Sequence, residues 1–156
     1  MQRKNKSAEA CAMDLLLKQN RTEQSLRKKL LETGYTEEEA STGIDYVKRF
    51  GYLDDRRFAA SYIRSISGRY SLSVLKRKLS EKGVSPEDID AAVEEAFEEG
   101  SLNEEGEEEL IEKLIRKKYP DGILPDENAK NKLFASLYRK GFAVRDVEKV
   151  LRRILT

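Results

Sequence analysis

Histidine is absent from this 156-residue chain, and its single thiol, Cys11, sits in a run of small and apolar residues. Acid–base catalysis near neutrality relies most often on imidazole, and nucleophilic catalysis on a thiol or hydroxyl activated by a neighbouring base. The sequence spells out neither arrangement. Carboxylate pairs occur, but inside an acidic run they are background. No spacing of cysteine, histidine or carboxylates resembles a zinc or calcium site, and no glycine-rich loop could cradle a phosphate. The expectation is therefore no catalytic residue, no metal, no cofactor and no enzyme. Cys11 reads as a buried structural thiol, and a lone cysteine without a disulfide partner fits a reducing cytoplasm.

What is left to carry function is charge. The formal net charge is only +1, yet the signs are segregated along the chain. Between Arg56 and Lys82 stand eight bases (Arg56, Arg57, Arg64, Arg69, Lys76, Arg77, Lys78, Lys82) against one acid, Glu81. From Glu87 to Glu109 there are twelve acids and no base, and beyond that twelve bases against six acids. A basic triplet, Arg27-Lys28-Lys29, recurs as Lys76-Arg77-Lys78. Such a two-sign surface suits a large, charged, regularly built partner. The acidic run has a plain reading too, as a solvated face with acids favoured at a helix N-terminus. Aromatics interleaved with the bases, such as Phe58 and Tyr62, stand at core spacing.

These charges must be positioned by helices, and the helices come in copies. Lys28 to Thr36, centred on Gly34, reappears as Arg77 to Ser85, centred on Gly83, 49 residues on. A fainter copy, Leu137 to Ala143, is centred on Gly141, a further 58 residues on. At those offsets Leu26, Leu75 and Leu133 coincide, as do Leu30, Leu79 and Leu137. Ile44, Val93 and Leu151 follow, then Val47, Ala96 and Ile154. Periods of this size mark tandem helical units. In each copy leucines four apart share one helix face, and the glycine ends that helix in a left-handed conformation. Thr36 or Ser85 then caps the next helix, with Glu39 or Asp88 completing a capping box. Ala143 occupies the third such position and makes a weaker start.

The junctions repeat as well. Gly51-Tyr52-Leu53-Asp54-Asp55 corresponds to Gly100-Ser101-Leu102-Asn103-Glu104. Asp54 and Asn103 read as caps, and Leu53 with Phe58 is spaced as a hydrophobic staple. Glu107 stands where Phe58 would, which predicts a looser second junction. The pattern predicts helices over 7–19, 22–33, 37–50, 55–68, 72–82, 86–98, 104–118, 127–140 and 144–155, with a loop at 120–125 between two prolines. The fold class is thus all-α, three tandem three-helix repeats forming an elongated, curved array. The organisation is a flexible basic tail, 1–7, and repeats over 8–53, 54–102 and 103–156. With 38% hydrophobic and 38% charged residues, several small cores suit the composition better than one large one. The basic N-terminus has no apolar stretch long enough for a signal peptide, and no apolar run spans a membrane. A soluble cytoplasmic monomer without a membrane partner is expected.

Helix, glycine turn, helix is also the outline of a DNA-reading motif. The helices after the first two turns begin Glu37-Glu38-Glu39 and Glu87-Asp88, which phosphates would repel. Only the third, with Arg145, Lys149, Arg152 and Arg153, has suitable charge. Sequence-specific reading by all units is disfavoured, and weak non-specific contact with DNA through the basic helices is the second reading.

The block from Gly51 to Arg64 resembles the hallmark of the RecX family of bacterial recombination regulators. So do the flanking Arg27 to Gly34 and Leu75 to Gly83 blocks and the closing Arg139-Lys140-Gly141-Phe142. The likeness runs from about Ala8 to Leu155. It implies a non-enzymatic inhibitor of the RecA recombinase that lies along the groove of the RecA filament on single-stranded DNA. Such proteins contact more than one subunit and suppress ATP hydrolysis, strand exchange and coprotease activity. Within the hallmark, Gly51, Leu53, Asp54, Arg57, Phe58 and Tyr62 are explained by structure. The expected contact residues are Arg27, Lys28, Lys29, Lys76, Arg77 and Lys78, with Arg56 and Arg64 beside them. The acidic stretch 87–109, the loop 120–125 and Ala143 depart from the pattern.

Overall fold

Leucines on one face and a glycine at the end produce helix throughout the computed structural model, which describes residues 6–102 and 106–154. Among these residues there are nine helices and no strand: α1 (Ala8–Lys18), α2 (Glu23–Thr33), α3 (Glu37–Arg49), α4 (Asp55–Ile66), α5 (Leu72–Glu81), α6 (Pro86–Glu99), α7 (Glu107–Lys118), α8 (Glu127–Arg139) and α9 (Val144–Ile154). The expected bounds hold to within two residues except at α7. That helix is described from Glu107, behind Gly106, which offers no capping side chain, and its expected first residues, 104 and 105, lie outside the described residues. The expected cap Asn103 lies outside the described residues.

The repeat's apolar positions are the buried ones. Leu26, Leu75 and Leu133, Leu30, Leu79 and Leu137, and Tyr35, Val84 and Phe142 are all buried. Ile44, Val93 and Leu151 join them, as do Val47 and Ala96, while Ile154 is half-buried. Gly34, Gly83 and Gly141 all adopt the left-handed conformation, at φ 114°, 93° and 93°. Thr36 and Glu39 close the capping box, and the Ser85 hydroxyl accepts the Asp88 N–H. At the third position the methyl group of Ala143 accepts nothing. Ala143→Ser places a hydroxyl where the Asp146 N–H can use it, as Ser85 serves Asp88. The variant should gain about 1 kcal/mol, and a thermal unfolding midpoint that fails to rise would refute this.

By internal contacts the chain forms two compact units, Met1–Ile63 with Lys78–Glu95 and Arg64–Arg77 with Ala96–Thr156. The middle repeat is thus divided between them. The first unit's core gathers Ala12, Leu26, Leu30, Tyr35, Ile44, Val47 and Leu53. Cys11 packs against this core half-buried, more exposed than the sequence reading had it. The Tyr35 hydroxyl donates to the Lys6 carbonyl at 2.8 Å and so ties down the start of the described chain. The second unit's core gathers Ile111, Ile115, Leu133, Leu137, Phe142, Val147, Val150 and Leu151.

A clasp joins neighbouring repeats inside each unit. Thr22 caps α2 through the Ser25 N–H, and its hydroxyl donates to the Lys82 carbonyl at 2.8 Å. In the second unit, Ser71 stands 49 residues after Thr22, and its N–H donates to the Lys140 carbonyl at 2.9 Å. Each clasped carbonyl immediately precedes the repeat's glycine, Gly83 or Gly141. Thr22 and Ser71 are buried, at 1% and 2% exposure. The first helical N–H is also covered in both cases: Asp55 Oδ1 accepts from Glu23, and Glu107 Oε1 accepts from Leu72.

Candidate partner-binding surface

Three consecutive helical residues fan over about 200°, so a basic triplet cannot present one face. Leu26 and Leu30 fix the phase of α2, and Leu75 and Leu79 that of α5. The middle residue of each triplet, Lys28 or Arg77, lies opposite the buried leucines and is exposed. Its neighbours Arg27, Lys29, Lys76 and Lys78 are half-buried. Arg27 is engaged within its own unit: it donates to the Ser41 hydroxyl at 2.9 Å and sits 3.5 Å from the Glu37 carboxylate.

Arg56 and Arg64 are exposed on α4, but acids of α6 reach both. Arg56 pairs with Glu95 at 4.0 Å within the first unit, and Arg64 with Glu99 at 3.2 Å within the second. Glu108 likewise pairs with Lys149 at 3.0 Å, and Glu112 with Arg153 at 3.2 Å. Part of the acidic stretch therefore neutralises bases of its own unit. Solvent-exposed pairs of this kind are worth little stability, but they lower the net field a partner meets.

The hallmark residues are engaged with the backbone and with one another. Gly51 has φ 76°, Leu53 is buried, and Asp54 caps α4 by accepting the Arg57 N–H. Arg57 reaches back to the Gly51 carbonyl at 2.8 Å. Phe58 and Tyr62 differ from the expected core role, because both are half-buried. Their rings stack 6.2 Å apart with 11° between planes, and the Lys82 ammonium lies 5.3 Å from the Tyr62 ring. In the second unit Glu107 stands where Phe58 would, beside an apolar cavity of about 510 Å³ walled by Leu72, Leu75, Phe97 and Leu110. A carboxylate cannot fill the space that a phenyl ring occupies in the first copy.

Burial raises the Asp55 carboxyl above the usual carboxylate range; the Glu23 N–H opposes this, and the Glu23 charge adds to the rise. An acid with a raised folded pKa costs the native state at neutral pH and costs less as the pH falls through that value. Asp55→Asn keeps an oxygen for the Glu23 N–H and removes the charge. Its stability advantage should be greatest near neutrality and shrink on acidification. Urea unfolding at a series of pH values reads the difference, and a gap that widens with acid would contradict the assignment.

Sequence reading missed Thr22, Ser71, Arg21 and the position of Lys82. The two hydroxyls do recur at the repeat's own offset, which was the available signal. Arg21 and Lys82 come to line one groove only through folding, and no local pattern announces it. Among the described residues no group of acids and cysteine is placed to hold a metal. None of their helices is long and apolar enough to cross a membrane.

The architecture defines an all-α protein of tandem three-helix units. Family models for the second and third three-helix domains of RecX match residues 54–93 and 105–151. The regulatory protein RecX of Clostridium tetani is 30% identical over 148 residues, covering 92% of this chain and 65% of that protein. That of Amycolatopsis mediterranei is 32% identical over 144 residues, covering 90% and 78%. The crystal structure of RecX from Lactobacillus salivarius superposes with a TM-score of 0.66 over 94% of both chains, at 22% identity. A second, of a regulatory protein RecX, gives 0.67 over 92% of this chain and 70% of the other, at 27% identity. The chain belongs to the RecX family. It spans slightly under two thirds of the Clostridium tetani protein's length, 65%.

Proposed function

We propose that this protein is a cytoplasmic, non-enzymatic, monomeric regulator that binds the RecA filament on single-stranded DNA and inhibits recombination. Membership of the RecX family, whose relatives are named regulatory proteins, carries this reading. Three repeats over 8–53, 54–102 and 103–156 would each offer a modest contact to a polymer of identical subunits. Contacts linked along one chain gain by effective concentration what each lacks in affinity. The exposed centres of the basic triplets, Lys28 and Arg77, supply the contact residues, with Arg27, Lys29, Lys76 and Lys78 flanking them. Arg56 and Arg64 contribute less, because Glu95 and Glu99 already pair with them.

The test is ATP hydrolysis by RecA on single-stranded DNA with the protein added. A fall at substoichiometric amounts is the expected result, since one bound molecule would affect several subunits of a filament. Unchanged hydrolysis at equimolar protein refutes the proposal.

A further inference from the structure

The apolar cavity of about 510 Å³ lies wholly within the second unit. Its walls are a repeat position with inverted polarity. At the offset of 49, Tyr70, Leu72, Phe97 and Leu110 correspond to Arg21, Glu23, Lys48 and Ser61 of the first copy. There Lys48 pairs with Glu23 at 2.7 Å. In the second copy all four positions are aromatic or aliphatic, and Glu107 replaces the ring of Phe58. A polar wall with one ring has become an apolar wall with one carboxylate. Tyr70, Leu72, Phe97 and Leu110 are each half-buried, so the cavity leaves apolar surface facing water.

Glu107 is incompletely satisfied. The Leu72 N–H donates to its Oε1 at 3.2 Å, while Oε2 is buried with no hydrogen-bond partner. Lys113 also lines the cavity, but it is exposed and donates nothing to Oε2. A carboxylate oxygen only accepts, and leaving one buried and unpaired is costly. We propose that this cavity binds a small amphipathic organic cation, an apolar body carrying a protonated amine. The ammonium donates to Glu107 Oε2, and the body packs on Leu72, Phe97 and Leu110. The reading goes beyond recombinase binding and stands independently of it.

The two halves of the site select together. The volume falls in the range of pockets that enclose small ligands. A hydrophilic amine would use the carboxylate and leave the walls wet. A neutral hydrocarbon would cover the walls and leave Oε2 unpaired, and an anion would be repelled. Hydrogen bonds between ammonium and carboxylate are about twice as strong as neutral ones, and apolar walls screen them less than water does.

Tryptamine, an indole ring with a protonated ethylamine arm, is the probe. The chain has no tryptophan, so indole emission excited beyond the tyrosine band reports the ligand alone. Titration with the full chain should shift that emission to the blue and saturate. Indolepropionate, the same ring with a carboxylate arm, should bind more weakly by about tenfold or more. Glu107→Gln keeps an oxygen for the Leu72 N–H and should weaken tryptamine by about tenfold. It should leave neutral methylindole unchanged, a split that damage to the cavity would not produce. Glu107→Phe, which restores the first copy's residue, should fill the cavity and abolish binding of both. Glu94→Gln on α6, an exposed acid of the same run, should bind as the parent does, and circular dichroism should show all variants helical.

Absence of saturable tryptamine binding, or indolepropionate binding as tightly, overturns the proposal. So does unchanged tryptamine affinity in Glu107→Gln, or parallel loss of methylindole, which would make Glu107 structural. Tryptamine binding that survives Glu107→Phe places the site elsewhere and overturns it equally. Because no RecA is present, failure here leaves the inhibition assay untouched, and failure there leaves this binding intact.

Discussion

Gly141→Ala and Gly83→Ala should be the most destabilising single-methyl additions in this chain, each losing about 2–4 kcal/mol. Two costs add at these positions. Backbones at φ 93° force an L side chain into the left-handed region, worth about 1–2 kcal/mol. The added carbon would then stand 2.2 Å from Val74 Cγ2 and 2.3 Å from Ser71 Oγ at Gly141. At Gly83 it would meet Gln24, with Cβ at 2.6 Å, so a swing of the amide alone gives no relief. Gly51→Ala isolates the first cost, because at φ 76° nothing lies within 4 Å of its added carbon. The order in chemical denaturation should be parent, then Gly51→Ala, then Gly83→Ala and Gly141→Ala. Equal losses at Gly51 and Gly141 would show that close packing contributes nothing beyond backbone strain.

That comparison marks how far the sequence could be read. Leucine spacing gave α2, α5 and α8 their faces, and each glycine was legible as a helix end because a left-handed terminus is a local property. Its second role, leaving room for the α2 or α5 N-terminus of the preceding repeat, was not legible. That role depends on a contact between Thr22 and Lys82, 60 residues apart. Charge was legible in amount but not in effect. The run from Glu87 to Glu109 looked like an unanswered acidic surface, yet Glu95, Glu99 and Glu108 each meet a base of their own unit. The basic triplets could have been resolved further, since the flanking leucines already dictate which member points outward. Phe58 and Tyr62 misled because core spacing says which face a residue takes, not how deeply that face is covered.

Reversing the charge of Lys76, Arg77 and Lys78 together to glutamate should weaken filament binding by about tenfold or more and leave helicity unchanged. Leu75 and Leu79, which hold α5 in place, are untouched and remain buried. The triplet's geometry then makes a finer demand. Arg77 lies opposite those leucines, whereas Lys76 and Lys78 run their stems along the flanks and are half-buried. Arg77→Glu alone should therefore reproduce most of the triple variant's loss, while Lys76→Glu or Lys78→Glu should produce little. Lys28→Glu occupies the equivalent outward position on α2 and should weaken inhibition comparably. Inhibition of RecA ATP hydrolysis, titrated for each variant, separates the cases. Undiminished inhibition by the triple variant would remove α5 from the contact surface. Equal losses from all three single variants would mean that the total charge of the helix matters and its outward face does not.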